Sequence, residues 1–223
     1  MYSKRFWDEL YRTHINDVPW MSESHTRSHL IIMEKYLHSV QGKRLMDYGC
    51  GNGEMGYHFY EMGADVTLVD ISDTLVGWLC DKYAASRMRI LQAATPFDML
   101  NEGFVFDIVI AGAVFHHIQP DLWKSFLVGF SELVVPGGLV VISGWDKSDV
   151  LFSVTNKAPY THEPIWPING LYDVIVNDGA FDIMEDVRYS YALPEFFHED
   201  RIFRYYMLKK RLLNINKHKL LKL

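Results

Sequence analysis

The sequence predicts an α/β fold: a mostly parallel, seven-stranded sheet with helices on both faces and a helical cap at the N-terminus. Three observations predict it. Short apolar runs alternate with stretches of helical periodicity from Arg44 to Ser143. The run FVFDIVI, Phe104 to Ile110, is almost continuously apolar, as a strand buried on both faces must be. The run LMDYGCGNGEMG, residues 45–56, packs four glycines between a strand and a helix. Glycine is costly inside either element, so the backbone there has been cleared for a close approach.

Taken in order, residues 3–39 read as two helices joined by a turn around Asn16 to Trp20. Arg44 to Tyr48 is the first strand, followed by the glycine loop and a helix from Gly53 to Met62 that Gly63 ends. Asp65 to Asp70 (DVTLVD) is the second strand, and Ser72 caps a helix through Tyr83. Met88 to Gln92 and Phe104 to Ile110 are the third and fourth strands. Pro120 and Asp121 open a helix carrying Leu122, Phe126, Leu127, Phe130 and Leu133 at core spacing. Pro136-Gly137-Gly138 is expected to break it ahead of a fifth strand, Leu139 to Ser143. A helix after Gly170 leads to two last strands, Phe181 to Tyr191 and Phe203 to Leu212.

The 223 residues, 49% of them hydrophobic, suit one domain over residues 1–223. Its parts are a helical cap (1–40), a ligand-binding core (41–143), an insert or lid (144–168), the rest of the sheet (169–212) and a basic tail (213–223). A net charge of -6 argues against a general nucleic-acid binder. Two cysteines, Cys50 and Cys80, provide neither a disulfide framework nor metal spacing, which points to a cytoplasmic chain without a metal. The charged, aromatic N-terminus MYSKRFWDEL does not resemble a secretory leader, and no run reaches a membrane span. The basic run from Lys209 to Leu223 reads as a solvated tail or as a contact for RNA or lipid headgroups. The long aromatic insert leaves the sheet where α/β folds bind ligands.

The glycine loop admits two spacings. Gly51-x-Gly53-x-x-Gly56 nominally fits a dinucleotide pyrophosphate, whereas Gly49-x-Gly51-x-Gly53 begins directly after the strand. Asp47 just ahead of the loop would oppose a pyrophosphate and suits a cationic ligand. Asp70, ending the second strand, is placed to accept both hydroxyls of a ribose.

These residues resemble the first motif of class I S-adenosylmethionine-dependent methyltransferases, an acidic residue followed by G-x-G-x-G. Val69-Asp70-Ile71 resembles the ribose-binding acid with its apolar neighbour. FDIVIAGAVFHHI, LVVPGGLVVIS and Gly179-Ala180-Phe181 resemble later landmarks of that family, in order. TRSHLIIMEKYLHSVQGKRLMDYGCGNG is similar to ubiquinone-type O-methyltransferases. The resemblance implies a Rossmann-like doubly wound fold, S-adenosyl-L-methionine as cofactor, and a small-molecule acceptor methylated on oxygen or nitrogen. It implies cofactor contacts from Arg27, Asp47, Gly49, Cys50, Gly51, Asn52, Gly53, Asp70, Ile71 and Ala111. His117, with His116 beside it, is the candidate general base. Trp20 and Tyr11 from the cap, and Trp145, Tyr160, His162 and Trp166 from the insert, are candidates for the acceptor wall, or equally for packing. An acid expected after the third strand is replaced by Ala93 and Ala94, so backbone atoms or Asp98 would read the adenine. A non-catalytic cofactor-binding protein, or a tRNA or protein methyltransferase, stays open beside this reading, as does a monomer or a homodimer.

Overall fold

The computed structural model describes residues 3–37, 39–149, 152, 164–191 and 201–212. Tyr160, His162 and residues 213–223 of the basic tail lie outside the described residues. A seven-stranded sheet has the order β3-β2-β1-β4-β5-β7-β6. Its strands are β1 (Arg44–Tyr48), β2 (Asp65–Asp70), β3 (Arg89–Gln92), β4 (Phe106–Ala111), β5 (Val134–Trp145), β6 (Phe181–Tyr191) and β7 (Arg201–Lys210). β1 to β5 pair in parallel, and β7 runs antiparallel between β5 and β6. The expected fold class is therefore borne out.

Alternation along the central strands sorts side chains onto two faces. Leu45, Leu68, Ile108, Ile110 and Val141 join one apolar cluster with Met33, Phe59 and Leu79. These last three come from α2 (Glu23–Tyr36), α3 (Glu54–Glu61) and α4 (Asp73–Lys82). Met46, Val69, Val109, Ala111 and Ile142 join the opposite cluster with Met99, Phe130 and Ile175. Those belong to α5 (Pro96–Asn101), α6 (Trp123–Leu133) and α7 (Leu171–Asp178). The remaining helix, α1 (Lys4–His14), lies against α4 and buries only Tyr11.

Local signals explain most boundaries. Ser72 caps α4 by accepting the Leu75 N–H at 3.2 Å. Gly63 follows α3 at φ +89°, the left-handed turn that glycine adopts without penalty.

Four expectations need correction. Pro136-Gly137-Gly138 does not separate α6 from β5: the strand starts at Val134 and runs through it. The register slips between Phe106 and Ile108 of β4, so Val134 pairs with Phe106 and the ladder resumes at Leu139. Pro-Gly-Gly thus forms a bulge, with Gly137 at φ +79°. Second, α5 was not expected from the sequence. Third, the last strand is β7 over Arg201–Lys210 rather than Phe203 to Leu212, with Lys209 and Lys210 of the basic run inside it as expected; Lys210 donates to the carbonyls of Ser131 and Val134 at the end of α6. Fourth, Trp145 ends β5 and does not open the insert.

Candidate functional site

The carboxyl ends of β1, β2 and β4 meet at the glycine loop. The N–H groups of Gly49 and Cys50 both donate to the Val69 carbonyl, at 2.7 and 3.1 Å. This folds the loop back over the end of β2. Gly49, Gly51 and Gly53 all have positive φ, at +69°, +53° and +72°.

What a Cβ would meet separates the glycines by purpose. At Gly49 it would lie 2.4 Å from Val114 Cγ2, and at Gly56 2.3 Å from Leu68 Cδ2. At Gly53 it would lie 2.7 Å from Tyr83 and 3.0 Å from both Leu68 and Leu79. Those three glycines let α3, α4 and the β4 loop close-pack. Gly51 differs, because a Cβ there would meet only Trp20, at an ordinary 3.6 Å. Gly51 is the loop glycine whose side toward the cap has ordinary room for a side-chain atom.

Asp47 and Asp70 hold this loop from below. Asp47 is 3% exposed and accepts the Gly56 N–H at 3.0 Å. Burial pushes its pKa up to about 7, against the pull of that hydrogen bond. Asp47 therefore secures the start of α3. Asp70 accepts the Ser72 N–H at 3.0 Å, and burial raises its pKa to about 6 while the N–H groups of Ser72, Gly51 and Ile71 oppose the rise. A carboxylate that accepts from the N–H groups of Ser72, Gly51 and Ile71 ties the end of β2 to the glycine loop. Asn52, also buried, accepts the Glu54 N–H at 3.0 Å and reaches Thr26 of α2 at 3.4 Å. Its side chain fastens the loop to α2 and starts α3. Cys50 is buried beside Gly51, and the Ile71 carbonyl accepts from Gln92.

The other candidates are distributed as follows. Arg27 is exposed on α2, next to Thr26. Ala111 is fully buried in the core on the α6 side, so its side chain does not reach the loop. Trp20 is partly exposed and donates from Nε1 to the Tyr11 hydroxyl at 3.1 Å. Trp145 is 7% exposed and packs on Phe203 at 5.1 Å, so it is a strand-end core residue. The Trp166 N–H donates to the His116 carbonyl at 3.0 Å. Asp98 caps α5, its Oδ2 accepting from Ala94 and Thr95 N–H at 2.9 and 2.8 Å.

His117 lies in the 3-10 turn Phe115–His117 after β4, with its ring edge-on to Trp7 at 5.2 Å. Burial drives its pKa down to about 3, so the imidazole is neutral at physiological pH. Sequence reasoning missed Ala113, a non-glycine residue at φ +57° just beyond β4. Ser143 imposes it, accepting the Ala113 N–H with its carbonyl at 3.1 Å and its hydroxyl at 3.2 Å. Strain of this kind gathers where surrounding structure fixes a functional edge.

A family model described as a methyltransferase domain matches residues 25–170, more than half the chain. The chain belongs to the class I S-adenosylmethionine-dependent methyltransferases. This methyltransferase is 31% identical over 105 residues to the ubiquinone biosynthesis O-methyltransferase of Rhizobium leguminosarum bv. trifolii (strain WSM2304). That match covers 47% of the methyltransferase and 41% of the relative, so it spans less than half of the relative's length. Among solved structures, a methyltransferase from Anabaena variabilis ATCC 29413 superposes with a TM-score of 0.74 at 15% identity, covering 95% of this chain and 96% of that one. The Burkholderia thailandensis 1,6-didemethyltoxoflavin N1-methyltransferase superposes at 0.67 with 19% identity, covering 94% and 87%. These likenesses support the fold of the methyltransferase.

Membership brings S-adenosyl-L-methionine as cofactor. The open side of Gly51 and the Asp70 carboxylate beside it fit that group. Among the described residues no cluster of His, Cys, Asp and Glu could hold a metal, and no helix is long and apolar enough to cross a membrane.

Proposed function

We propose that the chain transfers a methyl group to an oxygen or nitrogen of a small-molecule acceptor, in the cytoplasm. The observation that carries this reading is the convergence of Gly51, Asp70 and His117 beneath one helical cap. When bound, S-adenosyl-L-methionine supplies an electrophilic methyl on its sulfonium. Asp70 would accept the ribose hydroxyls, the Gly49–Gly53 backbone would cradle the cofactor, and Arg27 on α2 is the candidate for its carboxylate. Trp7 and Trp20 would wall the acceptor side and exclude water. Holding acceptor and donor in a near-attack pose can lower the barrier by about 7–11 kcal/mol, which requires no strong base.

His117 would act as a neutral hydrogen-bond acceptor that orients an acceptor hydroxyl. A pKa near 3 is poorly matched to base catalysis at neutral pH. Turnover should therefore show no histidine step between pH 6 and 8. A rate that rises through a pKa near 6.5, and a His117→Ala variant that loses that rise, would instead make the ring a base. The depressed value also predicts a stability effect. Below pH 6.5 the unfolded chain takes up a proton that the folded ring refuses, down to about pH 3. The His117 contribution to stability should fall with acidification across that window and be absent in His117→Ala.

The direct test is calorimetry. S-adenosylhomocysteine should bind with a measurable heat and NAD should give none. The reverse preference would overturn the proposal.

A further inference from the structure

Helix α1 covers both halves of the site with side chains one turn apart. Trp7 meets the His117 ring at 5.2 Å, and Tyr11, its neighbour at i+4, is 4% exposed. Burial first, and the Asp70 charge second, push the Tyr11 hydroxyl upward. Trp20, following α1, donates to Tyr11 and lies across the open side of Gly51. Asp70 is only 6% exposed. A ribose can reach a carboxylate so buried only when part of its cover moves aside.

Little attaches α1 to the body. Tyr11 is its single buried residue. The polar attachment is concentrated at Asp8, whose Oδ1 accepts the Ser72 hydroxyl at 2.7 Å and the Thr74 N–H at 3.2 Å. Lys4 pairs with Asp8 at 3.1 Å and also with Asp73. The carboxylate therefore sits on the first turn of α4, where backbone N–H groups and the helix dipole favour an anion. Ser72 is shared: its hydroxyl holds Asp8 while its N–H holds Asp70. One residue thus links the helix to the carboxylate beneath it.

We propose that Asp8 is a positioning residue that latches α1 as a single lid over both halves of the site, so that cofactor entry and release require the latch to open. The proposal rests on the methyl-transfer reading for the identity of the ligand, but not for the attachment of the helix. An element with one buried residue, whose polar links to the body converge on the start of α4 through Asp8 and Lys4, opens at lower cost than a core helix, as mobile covers do. Because Trp7 and Tyr11 ride on the same helix, closure over Asp70 also brings Trp7 against His117.

The test uses the full chain with S-adenosylhomocysteine as the probe. In Asp8→Ala, association and dissociation rates should each rise roughly tenfold while Kd stays within about threefold, since opening is eased in the free and bound protein alike. Amide exchange of residues 4–14 in the free protein should accelerate by a similar factor. Asp8→Asn keeps an acceptor oxygen toward Ser72 and Thr74 but loses the ion pair, and should fall between Asp8→Ala and the native chain. Unchanged rates would overturn the proposal, as would faster exchange without faster binding, which is the mark of a merely structural cap. If the native chain binds no S-adenosylhomocysteine, the methyl-transfer reading fails. The exchange measurement needs no ligand and still decides the latch: unaltered exchange in Asp8→Ala overturns it.

Discussion

Gly53→Ala is expected to lower stability by about 2–4 kcal/mol, whereas Gly51→Ala should lower it by less than about 2 kcal/mol. Both residues have left-handed φ, which costs alanine about 1–2 kcal/mol. At Gly53 the added methyl also enters a packed site, 2.7 Å from Tyr83 and 3.0 Å from Leu68 and Leu79. Overpacking adds about 1–3 kcal/mol, and the stiffer unfolded chain returns about 0.4–1 kcal/mol. At Gly51 the methyl would have ordinary contact with Trp20 and stand on the ligand's side. Urea unfolding and S-adenosylhomocysteine calorimetry on the two variants should therefore separate: Gly53→Ala loses mainly stability, Gly51→Ala mainly affinity. Equal stability losses would mean that the loop's glycines share one purpose.

Asp70→Ala should weaken S-adenosylhomocysteine binding by at least about tenfold, since each charge-assisted hydrogen bond to a ribose hydroxyl is worth about 1.5–3 kcal/mol. The same carboxylate is costly to the free protein. Its folded pKa, about 6, lies above the ordinary aspartate value, so the native state binds the proton more tightly. The Asp70 contribution to stability declines as pH rises from about 4 to about 6, and removing Asp70 removes that contribution. Asp70→Asn should therefore lose affinity without losing thermal stability. In the native chain affinity should also weaken as pH falls below about 6, where the neutral carboxyl replaces the charged acceptor. Unchanged affinity in Asp70→Ala would place the cofactor elsewhere.

Much of the scaffold was legible because its signals are local. Ser72 reads as a cap and Gly63 as a helix end, and both behave so, since each role depends on a few neighbouring backbone atoms. Asp70 and the Gly49–Gly53 run could be recognised as a pair because strand length and turn chemistry bring them to the same edge. The short α5 was missed because six residues carry too little periodicity. Its capping box, Thr95 with Asp98, was a readable signal that went unread. Pro136-Gly137-Gly138 reads as a breaker in any one-dimensional pattern. It becomes a bulge because β4 on one side and β7 on the other supply a ladder that the strand can rejoin.

The sequence by itself determined the layered α/β architecture, the glycine loop, the acid at the end of β2 and the family to which the chain belongs. These follow from spacing and residue type over short distances. Only the tertiary structure decided what each of those residues does. It separated Gly51 from the packing glycines, assigned Asp47 to the Gly56 N–H, moved Trp145 into the core and set Asp8 of α1 on Ser72 of α4. It also set Trp7 of α1 against His117, more than a hundred residues away in sequence, in surroundings that lower the pKa of the ring. Desolvation and steric fit depend on every element packed around a group, and the neighbours of that group in the chain do not specify them.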